Sequence, residues 1–238
     1  QDTLLHNHYD FEYIDEDILS RLGSVSKNYL KVGKSSYSSI IVPPLRTMRK
    51  STAEALAKIA KNGGNLIFVE ALPERIDCKS CEGEDIFGGI SKIVKMSEEK
   101  IIETLSLDKG LRRISIKDKN GVEFKKSLYM LRKGKNGEAV LFICSMFQTG
   151  EEEKLHITLP YKGQVQEWDA QIGKIYLAEY EENKNGVTIK SSLFPCGSRL
   201  FVVSPKVDET LTGRPHHKIR DKIEFTSDEF RILRDEPN

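Results

Sequence analysis

The sequence predicts an α/β unit followed by an antiparallel β-sandwich. Two observations carry this expectation. Up to about residue 111 the apolar positions alternate between helical and strand periods, and past Leu111 the helical period disappears. From there Asn-Gly pairs recur at 120–121, 136–137 and 185–186, each between apolar runs. Asn tolerates and Gly permits the positive φ that tight hairpin turns require.

In the first part, Ile14, Ile18, Leu19 and Leu22 fall on one helical face, and Gly23 closes it. Tyr29–Val32 and Ser38–Val42 read as strands, the second stopped by Pro43-Pro44, which have no N–H to give to a ladder. Ser51-Thr-Ala-Glu54 has the form of a capping box ahead of Leu56, Ala57 and Ala60. Gly63-Gly64 ends that helix. Asn65–Val69 then reads as a parallel strand covered on both faces, completing a right-handed βαβ unit. Asp77–Gly89 reads as a loop. Ser97–Leu107 is a helix with Ser97 as N-cap.

In the second part, Ile114–Ile116 turns at Asn120-Gly121 into Val122–Phe124. Leu128–Leu131 pairs with the run from Ala139 to Phe147, and Ile175–Tyr180 with Val187–Ile189. Leu155–Leu159, Gln164–Asp169 and Leu200–Ser204 are further strands. Residues 207–217 read as a linker, and Lys222–Phe225 and Phe230–Leu233 as strands beginning another unit. The expected division is therefore 1–111, 112–206 and 207–238.

Composition excludes several classes. With 37 Lys+Arg against 36 Asp+Glu the net charge is +1, which argues against a nucleic-acid partner held by a basic surface. No apolar run approaches the ~20 residues of a membrane span. Gln1 at the start and the unfinished strand at the end give the expectation of a piece of a longer protein. The compartment is not legible. Four cysteines are too few for a disulfide scaffold. Cys144, in an apolar run, reads as a buried small side chain. Cys78-Lys-Ser-Cys81 is a lone CxxC without the second ligand pair that a zinc site needs.

No phosphate cradle (GxGxxG or GxxxxGK[ST]) and no nucleophile elbow is present. His6, His8, His216 and His217 read as exposed loop residues. The acidic runs at 15–17, 151–153 and 181–182 read as a helix N-terminus and two loops, not as facing catalytic carboxylates. Trp168, the sole tryptophan, has two readings. With Tyr161, Tyr176 and Tyr180 it would make a platform for sugar contact; alternatively it anchors the sandwich core, the reading we favour here. The residues assign no catalytic group, cofactor or metal.

Several segments in collinear order resemble large multidomain glycoside hydrolases of the α-L-rhamnosidase-like kind. They are Asp10-Phe-Glu-Tyr-Ile-Asp15, Leu30-Lys-Val-Gly33, Ile40-Ile-Val-Pro43, Lys61-Asn-Gly-Gly64, Ala71-Leu-Pro73 and Pro195–Pro205. The family segment W-D-P-x-T-G stands here as Trp168-Asp-Ala-Gln-Ile-Gly173, with Ala170 and Ile172 as departures. The resemblance implies a flavodoxin-like, class I amidotransferase-like α/β domain behind a catalytic barrel, then a β-sandwich. Phe230–Asn238 resembles the start of a galactose-binding-like domain. The family's catalytic acids lie on the barrel, so none maps onto this sequence, and the amidotransferase cysteine motif is absent. The implied role is that of a non-catalytic accessory region, with the barrel and further β domains of the same chain as partners and an exported, secreted or periplasmic parent. A carbohydrate-binding module using Trp168, and a self-standing hydrolase using Cys78 or Cys81, are the alternatives.

Overall fold

The computed structural model describes residues 1–108 and 110–215. The expected strands at 222–225 and 230–233 lie outside them.

The chain opens with a short helix, α1 (Asp2–His6), which no sequence signal announces. Helix α2 (Glu16–Leu22) follows. Its N-cap Asp15 accepts from the N–H groups of Asp17 and Ile18, so the acidic run sits at the favourable end of the helix dipole. Of the expected apolar face only Leu19 is buried; Ile18 and Leu22 are exposed. Gly23 closes α2 in an extended, not left-handed, conformation because it already opens β1 (Gly23–Ser26). With β2 (Tyr29–Val32) and β3 (Ser35–Tyr37) this forms an antiparallel meander.

Strand β4 (Ser39–Val42) comes next, then β5 (Thr47–Met48), α3 (Lys50–Lys61) and β6 (Asn65–Val69). Strands β4 and β6 pair in parallel, as the βαβ pattern required. The capping box does not form, because α3 begins two residues earlier, with Arg49 rather than Ser51 at its N-cap. The open N–H groups are met from outside: Arg49 donates to Glu16 (3.0 Å) and Lys50 to Asp77 (3.0 Å).

The expected loop from Asp77 to Gly89 holds structure. It contains the turn of a hairpin between β7 (Arg75–Ile76) and β8 (Lys79–Ser80), then α4 (Gly83–Phe87). Asp77 and Cys78, both at positive φ, are the two turn residues. Strand β9 (Lys92–Val94) joins β6 in parallel, and α5 (Glu98–Ser106) is capped by Ser97. Along β6 the side chains alternate between two covers: Leu66 and Phe68 pack toward α3 and α4, and Ile67 toward α5 and Tyr9. This parallel sheet has three strands, in the order β4-β6-β9. A flavodoxin-like sheet has five. At the coarser level the described chain is mostly β, in several sheets, with this one parallel β-α-β arrangement in its first part.

The second part is a β-sandwich. One antiparallel sheet has the order β10 (Ser115–Asp118), β13 (Glu153–Leu159), β17 (Gly186–Leu193), β16 (Tyr180–Asn183). The other has the order β11 (Ser127–Lys133), β12 (Ala139–Ser145), β18 (Ser198–Ser204), β14 (Gln164–Asp169), β15 (Lys174–Leu177). Between them Ile116, Leu141, Ile157, Val165, Ile189 and Phe201 form part of one buried cluster. The three Asn-Gly turns sit where expected, but Val122–Phe124 contributes only an isolated bridge, Lys117–Glu123. The run Ile175–Tyr180 is not one strand: the chain passes from one sheet to the other at Ala178, which is buried in the core.

At Gly186 (φ +150°) a Cβ would stand 2.0 Å from the carbonyl oxygen of Leu159, so only glycine lets that turn close. No helix among the described residues is long and apolar enough to cross a membrane.

Candidate functional site

The residues expected to contact sugar are not brought together on one surface. Strand alternation in β14 sends Val165, Glu167 and Asp169 inward and Gln164, Gln166 and Trp168 outward. Trp168 pairs with Ile175, and Tyr176 with Glu167, so Trp168 and Tyr176 lie on opposite faces of one hairpin. Tyr161 is half-buried against the sandwich core. Trp168 is 41% exposed, which overturns its reading as a core anchor. Its Nε1 donates to Gln166 Oε1 at 3.0 Å.

The segment Trp168–Gly173 has a local physical reason. Asp169 Oδ1 accepts from the N–H groups of Gln171 (3.0 Å) and Ile172 (3.3 Å). Gly173, at φ +66°, donates its N–H to the Asp169 carbonyl (2.9 Å). The aspartate and the glycine build the turn; the residues between them are free to vary. On the inner side Arg214 bonds Glu167 (2.5 Å) and Asp169, and its guanidinium lies 5.6 Å from the Tyr176 ring centre. Arg199 shares Glu167 at 3.2 Å. Residues 207–215 are therefore tied to the sheet; Gln164 also exchanges two hydrogen bonds with the backbone of Asp208. The two carboxylates Glu167 and Asp169 are both held by arginine and do not face each other across a cleft.

The densest group of titratable side chains is one the sequence did not reveal. His8 is not an exposed loop residue; it is fully buried, at φ +56°. Its Nδ1 lies 2.5 Å from Glu123 Oε1, and its Nε2 lies 3.1 Å from Ser127 Oγ and 3.2 Å from the Ser127 carbonyl. Arg112 pairs with the same carboxylate. Tyr129 donates to the His8 carbonyl at 3.3 Å, and burial, reinforced by Asp10, pushes the Tyr129 hydroxyl far above the usual phenol range.

Serine, histidine and carboxylate in this order have the connectivity of a nucleophilic triad. Access decides against that chemistry. Ser127 and His8 are both 0% exposed. The adjoining cavity, about 160 Å³, is lined by Leu5, Tyr9, Asp10, Phe11, Leu128 and Tyr129, and reaches neither residue. The cluster is a buried polar lock between the N-terminal segment and the sandwich. It escaped the sequence because 115 residues separate His8 from Glu123 and no spacing rule links them.

Glu123 carries a pH dependence. Burial pushes its carboxyl up, but the hydrogen bonds to His8 and Arg112 and the arginine charge outweigh this and hold it below its ordinary value. A carboxyl lowered in the folded state contributes stability above its unfolded pKa, about 4.3. That contribution is lost as pH falls through the folded value. In Glu123→Gln this part of the acid limb should flatten, as read from denaturation midpoints between pH 6 and pH 2.

The cysteines form no site. Cys78 is exposed and Cys81 half-buried, and both are free. Cys144, expected in the core, is half-buried on the outer face of the five-stranded sheet. Among the described residues no group of three or more His, Cys, Asp or Glu is placed to hold a metal.

Comparison with known proteins adds the fold context. The fold recurs within much longer chains. A rhamnosidase from Novosphingobium sp. PP1Y superposes with a TM-score of 0.62 at 15% identity, over 88% of this chain and 21% of that one. The apo exo-carrageenase GH42 from Bacteroides ovatus superposes with a TM-score of 0.52 at 14% identity, over 85% of this chain and 26% of that one. The chain thus spans about a fifth to a quarter of the length of these structures. At such identities the likeness is one of fold. No family model and no curated protein matches the sequence.

Proposed function

We propose that this chain is a non-catalytic accessory region of a multidomain glycoside hydrolase. In this reading residues 1–111 are an α/β domain of flavodoxin-like, amidotransferase-like descent and 112–206 a β-sandwich. Its partners are a catalytic barrel and further β domains of the same polypeptide. One observation carries the proposal: nearly the whole chain is matched in fold inside two such hydrolases, yet it accounts for only 21% and 26% of them. The distribution of acids supports it. Glu123, Glu167 and Asp169, the least exposed carboxylates of the described ion pairs, are each paired with arginine, which suits a structural role better than that of general acid or nucleophile.

The test is an assay of the purified chain on aryl α-L-rhamnoside and aryl β-galactoside. No turnover above buffer is expected. Turnover that persists through successive chromatographic steps at constant specific activity would overturn the non-catalytic assignment.

A further inference from the structure

The segment that follows the last strand of the sandwich, residues 207–215, is fastened at three separate places. Nearest β18, Gln164 of β14 grips the Asp208 backbone from both sides. Its Oε1 accepts the Asp208 N–H at 3.0 Å, and its Nε2 donates to the Asp208 carbonyl at 2.9 Å. Gln164 is buried, so both ends of its amide are committed where water does not compete freely.

The second fastening lies on β15. The Leu177 N–H donates to the Thr212 carbonyl at 2.9 Å, and Leu177 bridges to Gly213 in parallel. Strand β15 is the last of its sheet, so this contact stands where a sixth strand would begin. An open strand edge invites pairing with other chains; here the chain covers part of its own edge.

The third fastening is Arg214. Glu167 and Asp169 stand two apart on β14 and face the same way. One guanidinium spans them, Nη1 on Glu167 at 2.5 Å and Nη2 on Asp169. A planar fork can serve two acceptors at once, as a single ammonium cannot. The side chains of Glu167 and Asp169 are only 14% and 10% exposed, so solvent screens these pairs less than surface ones. Both acids have a second partner. Asp169 closes the 168–173 turn with Oδ1 and leaves Oδ2 to Arg214. Glu167 also takes Arg199, whose Nε donates to the Ser192 carbonyl of β17 at 3.1 Å. Through Glu167 the segment is thus connected to both sheets.

Packing does not hold it. Val207 is exposed, Leu211 is half-buried, and neither belongs to the sandwich core. The polar fastenings carry the attachment.

We infer that residues 207–215 are a strap latched to the sandwich by Gln164 and Arg214, so that the chain continues from a fixed point at the β14–β15 hairpin and not from a free linker after Pro205. The aspartate of the Trp168–Gly173 segment then has two tasks, shaping the turn and holding the strap. This goes beyond the accessory-region reading and stands or falls separately from it.

Glu209 offers the test, because it is exposed in the middle of the strap. Glu-C protease cuts after glutamate, and cutting at a folded site tracks the population in which that site is open. The full chain and a synthetic peptide of residues 203–215 are digested side by side, and the cut after Glu209 is timed by mass spectrometry. The chain should be cut there at least tenfold more slowly than the peptide. Arg214→Ala and Gln164→Ala should each speed the cut at least fivefold. Asp169→Asn, which keeps an oxygen for the turn N–H groups, should speed it at least twofold. Hydrogen exchange of residues 153–159 and 186–193 should stay as in the parent, showing that the sandwich itself is intact. Cutting of the parent chain as fast as the peptide would overturn the proposal without recourse to any variant. So would an Arg214→Ala chain cut no faster than the parent.

Discussion

Replacing Glu123 with alanine is expected to cost about 3–5 kcal/mol of stability, the usual range when one partner of a buried ion pair is removed. The carboxylate is the common partner of His8 and Arg112, and its loss leaves both facing each other in an enclosed space. Chemical denaturation of the parent and variant at pH 7 measures the effect. Lys125→Ala, which removes an exposed pair with Glu98, is the control and should cost no more than about 1 kcal/mol. A Glu123→Ala loss as small as the control's would show that the cluster is not the lock described above.

Phe68→Ala should be comparably damaging, by about 3–5 kcal/mol, for a different reason. Phe68 is fully buried at the centre of the parallel sheet and meets Phe87 with ring centres 4.8 Å apart. Truncation opens a cavity that rigid neighbours on α3 and α4 cannot fill. The variant also tests the proposed division at residue 111. In calorimetry an independent α/β domain would melt earlier while the sandwich transition stays in place. If both parts shift together, the two form one cooperative unit and the proposed boundary fails.

What the sequence revealed follows the range of the forces involved. The Asn-Gly turns, the Ser97 cap and the βαβ unit depend on neighbours within a few residues, and they were legible. The capping box at Ser51 failed because the helix starts earlier and carboxylates of Glu16 and Asp77, 33 residues from Arg49 and 27 from Lys50, supply the cap instead. The passage between sheets at Ala178 was missed because Ile175–Tyr180 is apolar enough to look like one strand. Trp168 was misplaced for a subtler reason: alternation along β14 assigns it the same face as two glutamines, but which face is inward depends on pairing with β18.

The polar lock was invisible altogether. Histidine, glutamate and serine carry no local signature unless they share a loop or a helix, and here His8 lies 115 and 119 residues from Glu123 and Ser127.

The buried position of His8 also bears on how the chain comes to fold during synthesis. Ser127 follows His8 by 119 residues. At a translation rate of about 5–20 residues per second that is a wait of about 6 to 24 s. Throughout it the α/β part can assemble while its first dozen residues hold a binding surface for a sandwich that does not yet exist. The segment around His8 thus leaves the ribosome well before the sandwich that locks it in place.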